Sequence, residues 1–226
     1  MNSHLLKPSN LSAEHWQMLV EESGIQSEVI RERGYRTITD TKELAAIGFA
    51  PKQQRVPGLL LPVYAPDGSL VLHQYRPNFP RQKRGRNGVL LPEVVKYETP
   101  KDAKMRLDVP PIIRPKLADP NIPLWVTEGI KKGDALASAG FCVVALLGVW
   151  NFKGMNEFGG TTLLADFDCI AFNGRDVRIV FDSDIMDKPS VRQAMERLTE
   201  HLQRKGAHVG TVYLSGERDK KVGVDD

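Results

Sequence analysis

The chain has 226 residues and a mass of 25.2 kDa, enough for one large domain or two small ones of roughly 100–200 residues each. Its 41% apolar and 26% charged residues exclude wholesale disorder, collagen and coiled-coil arrays, and no run approaches the roughly 18 apolar residues of a membrane span. The net charge of +3 is unevenly spread: residues 1–120 hold 18 Lys/Arg against 13 Asp/Glu, and residues 121–226 hold 13 against 15.

Residues 1–10 lack the apolar core of a signal peptide, so the expected setting is the cytoplasm, without membrane contact. Ser12 is placed to cap a first helix with an apolar stripe of Trp16, Leu19 and Val20, ending at Gly24. Asp40 with Glu43 reads as a capping box closed by Gly48. Residues 59–64 and 70–75 flank Pro66-Asp67-Gly68, a β-hairpin pattern. Residues 77–123 are basic and proline-rich, with strand character expected around Lys96-Tyr97-Glu98. Here Arg76, Arg81, Lys83, Arg84 and Arg86 place five cations in eleven residues without an acid, a stretch able to neutralise phosphates. Pro110, Pro111, Pro115, Pro120 and Pro123 mark residues 108–123 as a linker. The expected boundary lies near 121, between a helical and β-rich basic α+β domain (1–120) and a second domain (121–226).

Beyond that boundary strand and helix alternate, the mark of a parallel sheet. Residues 124–127 are a short apolar strand ending at Glu128-Gly129, and residues 131–139 a helix closed by Gly140. Residues 141–147 form a buried strand stopping at Gly148; residues 149–168 read as a loop with a short helix. Residues 177–182 are the next strand. Pro189 opens a helix with Val191, Ala194, Met195, Leu198 and Leu202 at helical spacing, and residues 208–214 supply a fourth strand. Cys142 and Cys169 lie in apolar stretches with no Cys or His at ligand spacing, and read as buried thiols. The five scattered histidines offer no metal motif.

In an open parallel sheet, ligands bind beyond the carboxyl ends of the strands. That rule selects Glu128 at the first strand end, and Asp182 with Asp184 at the third. Convergent carboxylates repel unless a hard cation with oxygen ligands joins them, which makes Mg²⁺ the expected cofactor and Mn²⁺ its substitute. Lys131 and Lys132 follow Glu128 on the first helical turn, where the macrodipole disfavours cations. They are candidates for phosphate contact or plain surface charge. Trp150 and Phe152 are expected to pack beneath their loop rather than stack on a base.

Leu124-Trp-Val-Thr-Glu128-Gly129, the Leu147-Gly148 turn and Ile179-Val-Phe-Asp182-Ser-Asp184 together resemble the motifs of the Toprim domain, shared by bacterial-type primases, topoisomerases and certain nucleases. The likeness is strongest to Toprim-like domains of phage and plasmid primases, including an uncharacterised family often joined to a helicase. Lys220-Lys-Val-Gly-Val-Asp225-Asp226 resembles the acidic segment after the fourth strand there. Gln74-Tyr75-Arg76-Pro77 and Lys96-Tyr97-Glu98-Thr99-Pro100 resemble the β-rich section that precedes Toprim in primases. The resemblance implies a Toprim-like parallel sheet with flanking helices, with Glu128 as metal-linked general acid or base and Asp182 and Asp184 holding Mg²⁺. It also implies nucleotidyl or phosphoryl transfer on single-stranded DNA or RNA with nucleotides, and a helicase domain or partner. Common primases carry an aspartate four residues after the motif glutamate; Lys132 stands there in this chain, and the nearest aspartate is Asp134. Hydrolysis of phosphodiesters and non-catalytic nucleic-acid binding are the alternatives, the latter because no zinc-binding or helicase segment is present. The end at Asp225-Asp226, directly after an acidic segment, reads as that of an excised fragment.

Three other motifs fail. Gly154 to Thr161 has P-loop spacing but Gly160 where the phosphate-binding lysine belongs. No Gly-x-Gly-x-x-Gly follows the first strand of the second half, and no Gly-x-Ser-x-Gly elbow is present.

Overall fold

The computed structural model describes residues 7–85, 87–155, 158–183, 188–214 and 222–225. Arg86, Asp184, Lys220 and Asp226 fall outside the described residues.

Helix α1 (Ala13–Val20) begins where the Ser12 hydroxyl accepts from the His15 N–H, and it buries Met18 and Leu19. Helix α2 (Ser27–Arg33) ends on Gly34 at φ 75°, a left-handed position that glycine takes without a Cβ clash. Strand β1 (Arg36–Ile38) interrupts the expected run of helices; three residues are too few to reveal a period in sequence. Helix α3 (Thr41–Ala46) is capped by Asp40, which accepts from the Lys42 N–H, while Glu43 pairs with Arg36 at 2.8 Å.

Strands β2 (Gly58–Tyr64) and β3 (Leu70–Pro77) form the expected hairpin, and β1 joins β2 from the other side in an antiparallel sheet. Alternate residues of β2 serve two cores. Leu59, Leu61 and Val63 pack with Leu19, Ile30 and Tyr35, whereas Leu60 packs with Leu44, Phe49 and Tyr75. Strands β4 (Gln82–Arg84) and β5 (Leu90–Val94) make a separate exposed hairpin. Lys96-Tyr97-Glu98 touches β3 through one bridge, Tyr75 and Glu98 exchanging backbone hydrogen bonds of 2.8 Å.

The proline-rich segment is packed rather than loose. Asp108 and Ala145 exchange backbone hydrogen bonds, the Val109 N–H donates to Tyr64, and Ile113 and Leu117 are buried. The fully buried Arg175 donates to the carbonyls of Lys116, Leu117 and Ile122, fixing the segment to the second half of the chain. Proline removes backbone donors from a ladder, but it does not prevent burial of its neighbours.

Next come β6 (Leu124–Glu128), α4 (Ile130–Ser138), β7 (Cys142–Leu146), a small hairpin of β8 (Lys153–Met155) and β9 (Thr161–Leu163), β10 (Asp176–Val180), α5 (Pro189–Arg204) and β11 (His208–Val212). Four of these strands form a parallel sheet in the order β11-β10-β6-β7. The chain is therefore α/β, with a parallel sheet and flanking helices after an α+β section. The expected loop at 149–168 contains the β8–β9 hairpin and a 3₁₀ turn at Ala165–Cys169. That turn points Phe167 inward and leaves Cys169 exposed, so only Cys142 of the two thiols is buried. Among the described residues, no helix is long and apolar enough to cross a membrane.

Candidate functional site

The geometry of the site is set by strand order. The chain leaves β6 for β7 on one side and later enters β10 on the other, so the crevice beyond β6 and β10 is a topological switch point. Glu128 is the last residue of β6. Gly129 comes next at φ 95° and donates its N–H to Leu146 at 2.7 Å, turning the chain into α4. Asp182 lies two residues beyond β10 and is 4% exposed. The Ser183 N–H donates to the Val222 carbonyl at 3.0 Å, and the Val222 N–H donates back to the Ser183 hydroxyl at 2.9 Å. This pair of bonds brings Gly223 and Asp225 over the same crevice.

Together these elements line a cleft of about 550 Å³. Glu128, Lys131, Lys132, Asp182 and Asp225 come from the parallel-sheet side; Gln74, Arg76, Lys96 and Tyr97 come from β3 and the segment after the β4–β5 hairpin. Acids and bases are interleaved within it. Lys132 Nζ is ion-paired with Asp182 Oδ1, and Lys131 Nζ donates to the Ser23 hydroxyl at 2.6 Å with Asp225 at 3.9 Å. Burial holds the Lys131 ammonium below its ordinary pKa, and Asp225 opposes that shift. Burial likewise pushes the Tyr97 phenol up to about 12.

Gly223 lies among the ends of three charged side chains. A Cβ there would stand 2.7 Å from Asp225 Oδ1 and 3.4 Å from Asp182 Oδ1, so the two carboxylates converge on one small cradle. Among the described residues, no three His, Cys, Asp or Glu side chains form a group able to hold a metal ion by themselves. Mg²⁺ does not require such a cage, since it is usually held by one or two carboxylates with substrate phosphates and water. The hard oxygen donors of Asp182 and Asp225, with Glu128 lining the same cleft, fit that ion.

The cleft thus unites Glu128, Asp182, Arg76, Lys131 and Lys132 of the candidates read from sequence. Lys83 and Arg84 sit instead on exposed β4, where Arg84 donates to the Gly88 carbonyl at 2.9 Å. Arg81 reaches Glu98 through bonds of 2.5 and 3.1 Å, so its charge has a local partner. Arg86 and Asp184 are not among the described residues. Phe152 is fully buried, and Trp150 is half-buried with Lys153 Nζ 3.8 Å above its ring.

Asp134 belongs elsewhere. It is completely buried and receives the Arg33 guanidinium through bonds of 2.8 and 2.5 Å and the Tyr35 hydroxyl at 2.6 Å. Asp225, Lys96 and Tyr97 lie in segments that the sequence marks as suggestive, but no local pattern assigns them to the site. Their convergence depends on the Ser183–Val222 bonds and the Tyr75–Glu98 bridge, neither of which has a local signal.

The four-stranded parallel sheet and its flanking helices match the Toprim-like cores of primases in fold. The Aquifex aeolicus primase, zinc-binding and RNA polymerase domains, matches over 95% of this chain and 52% of its own, with a TM-score of 0.63 at 16% identity. The DnaG primase catalytic domain bound to ssDNA matches over 89% of this chain and 64% of its own, with a TM-score of 0.55 at 18% identity.

Residues 116–226 match the profile of a domain of unknown function, DUF3854. An uncharacterized protein of Picosynechococcus sp. (strain ATCC 27264 / PCC 7002 / PR-6) is 34% identical in an alignment of 119 positions that covers 49% of this chain and 12% of that protein. The chain therefore spans about half of the Aquifex primase structure and a small part of the cyanobacterial relative.

Proposed function

We propose that the cleft carries out Mg²⁺-dependent nucleotidyl transfer in a primase-like replication protein of a mobile element, on single-stranded nucleic acid and with nucleotides as substrates. The observation that carries this reading is the meeting of Glu128, Asp182 and Asp225 with Arg76, Lys96, Lys131 and Lys132 in one cleft at the switch point. The fold likeness supports it, including likeness to a catalytic domain bound to ssDNA. A domain division near residue 121 and a helicase domain or partner belong to the same proposal.

Asp182 and Asp225, with Glu128 and Asp184, are the groups that would hold Mg²⁺ or Mn²⁺. The ion would activate a 3′ hydroxyl and stabilise charge on the attacked phosphate. Glu128, half-buried at its strand end, would accept or return the proton of the attacking hydroxyl. Arg76 and Lys96 on the opposite wall would orient phosphate oxygens. Tyr97, raised to about 12, would stay neutral near pH 7 and able to donate a hydrogen bond.

Incubating the protein with labelled single-stranded DNA, Mg²⁺ and nucleotides tests this reading. Extended products support transfer, and shortened strands support hydrolysis instead. Glu128→Gln or Asp182→Asn is expected to abolish turnover while leaving the fold intact; retained turnover refutes the assignment. The rival of a non-catalytic module is favoured by one observation, that Asp182 already has the Lys132 ammonium on its carboxylate. Strand binding without turnover, unchanged by Asp182→Asn, would establish that rival.

A further inference from the structure

Lys132 rests its ammonium on one of the carboxylates proposed above to hold the metal ion. Its ammonium pairs with Asp182 Oδ1, the two side chains being only 19% and 5% exposed. Its Cε lies 3.0 Å from the point that a Cβ on Gly223 would occupy, the same point that is 2.7 Å from Asp225 Oδ1 and 3.4 Å from Asp182 Oδ1. The terminal carbon of the lysine and both carboxylates therefore crowd one small volume. Two cations in that volume repel strongly, because partial burial weakens the screening water would provide.

We infer that Lys132 is a built-in competitor for the divalent ion: its ammonium holds the Asp182 side of the cradle, and a metal enters only by displacing it. This rests on the reading of the cleft as a cation site and adds a residue that sets its affinity. The four-carbon stem of lysine permits the displacement, since it can swing its head away while the backbone of α4 stays in place. A displaced ammonium meets an anionic partner when phosphate occupies the cleft. Metal and phosphate binding then favour each other, and the coupling is reciprocal.

Calorimetric titration of the full chain with Mn²⁺ tests the inference, comparing wild type with Lys132→Met, Lys132→Gln, Lys132→Arg and Asp182→Asn. Thermal unfolding without metal first establishes that each variant is folded. Removing the charge, in either Lys132→Met or Lys132→Gln, should tighten Mn²⁺ binding by about tenfold or more, tenfold being the low end for couplings between close, desolvated charges. Lys132→Arg keeps the charge and should stay near wild type, while Asp182→Asn should lose binding. Unchanged or weaker Mn²⁺ affinity in the uncharged variants, with Asp182-dependent binding preserved in wild type, overturns the competitor role alone. If Mn²⁺ binding depends on Asp182 in none of these proteins, the metal reading of the cleft falls, and this inference with it.

Discussion

Helix α4 carries two charge clusters of opposite character. Its first turn puts Lys131 and Lys132 among the carboxylates of an open cleft of about 550 Å³. Less than one turn on, Asp134 faces a cluster in which Arg33, Asp108 and Asp134 are all 0% exposed. The same residue types serve both. In the closed cluster, Arg33 donates to Asp134 and Asp108, and also to the Pro62 carbonyl at 3.1 Å. Complete burial closes this cluster to ligands, so its charges act on architecture: they bind α2, the segment after the β4–β5 hairpin and α4 into one unit. In the open cluster the charges line a substrate-sized space, and its two lysines keep part of their side chains in water. The closed cluster also sets up the open one, because fixing Asp134 fixes the rotation of α4 and the direction of its lysines.

The largest expected effect lies in the closed cluster. Arg33→Met leaves two carboxylates buried without their cation, and removing one partner of a buried pair typically costs about 3–5 kcal/mol. Urea unfolding should show a loss of that order, and a loss below about 1 kcal/mol would mean the cluster is not what joins these elements. A smaller effect depends on pH. Burial pushes the Asp108 carboxyl from 3.8 up to about 6, with Arg33 only partly opposing it, and among the described residues its Oδ2 has no hydrogen-bond partner. The folded state therefore holds a proton that the unfolded chain has released, so stability falls as pH rises from about 4 to 6. Asp108→Asn removes this dependence. The wild type should lose up to about 3 kcal/mol relative to the variant across that window. Parallel unfolding curves at pH 4 and 6.5 would contradict the shift.

Legibility in the sequence divides along the same line. The parallel strands could be read because each apolar run stops at a turn residue or an acid, as at Glu128-Gly129, Gly148 and Asp182, and the switch-point rule then brings Glu128 and Asp182 together. Arg33 could not be read as buried. A charged residue on the last turn of a helix normally marks a solvated end, and only tertiary packing turns it inward. Asp225 reaches the cleft through hydrogen bonds between Ser183 and Val222, residues 39 positions apart that no local pattern connects. Strands β1, β8 and β9 each have three residues, too short for a period of two to show.

The open cluster should respond in the reverse sense to mutation. Asp182→Asn keeps an oxygen acceptor for Lys132, whose side chain is 19% exposed and can turn toward water, so its cost on unfolding should stay at about 1–2 kcal/mol, below that of Arg33→Met, even as turnover is lost. A loss approaching that of Arg33→Met would erase the distinction between the clusters.

The smallest effects belong to the β4–β5 hairpin, where the comparison repeats on the surface. Arg81 is tied to Glu98, a carboxylate only 4% exposed, while Lys83 and Arg84 face solvent. If single strands pass this hairpin, each phosphate contact adds about −0.7 to the log–log slope of affinity against salt. Lys83→Ala with Arg84→Ala should then flatten the slope by about 1.4, two contacts' worth. Arg81→Ala should hardly move it, because that guanidinium must first leave Glu98. Flattening by about 0.7 in Arg81→Ala alone, one contact's worth, would show the Arg81–Glu98 pair opening when nucleic acid binds, and an unchanged slope in both would leave the hairpin outside the binding surface.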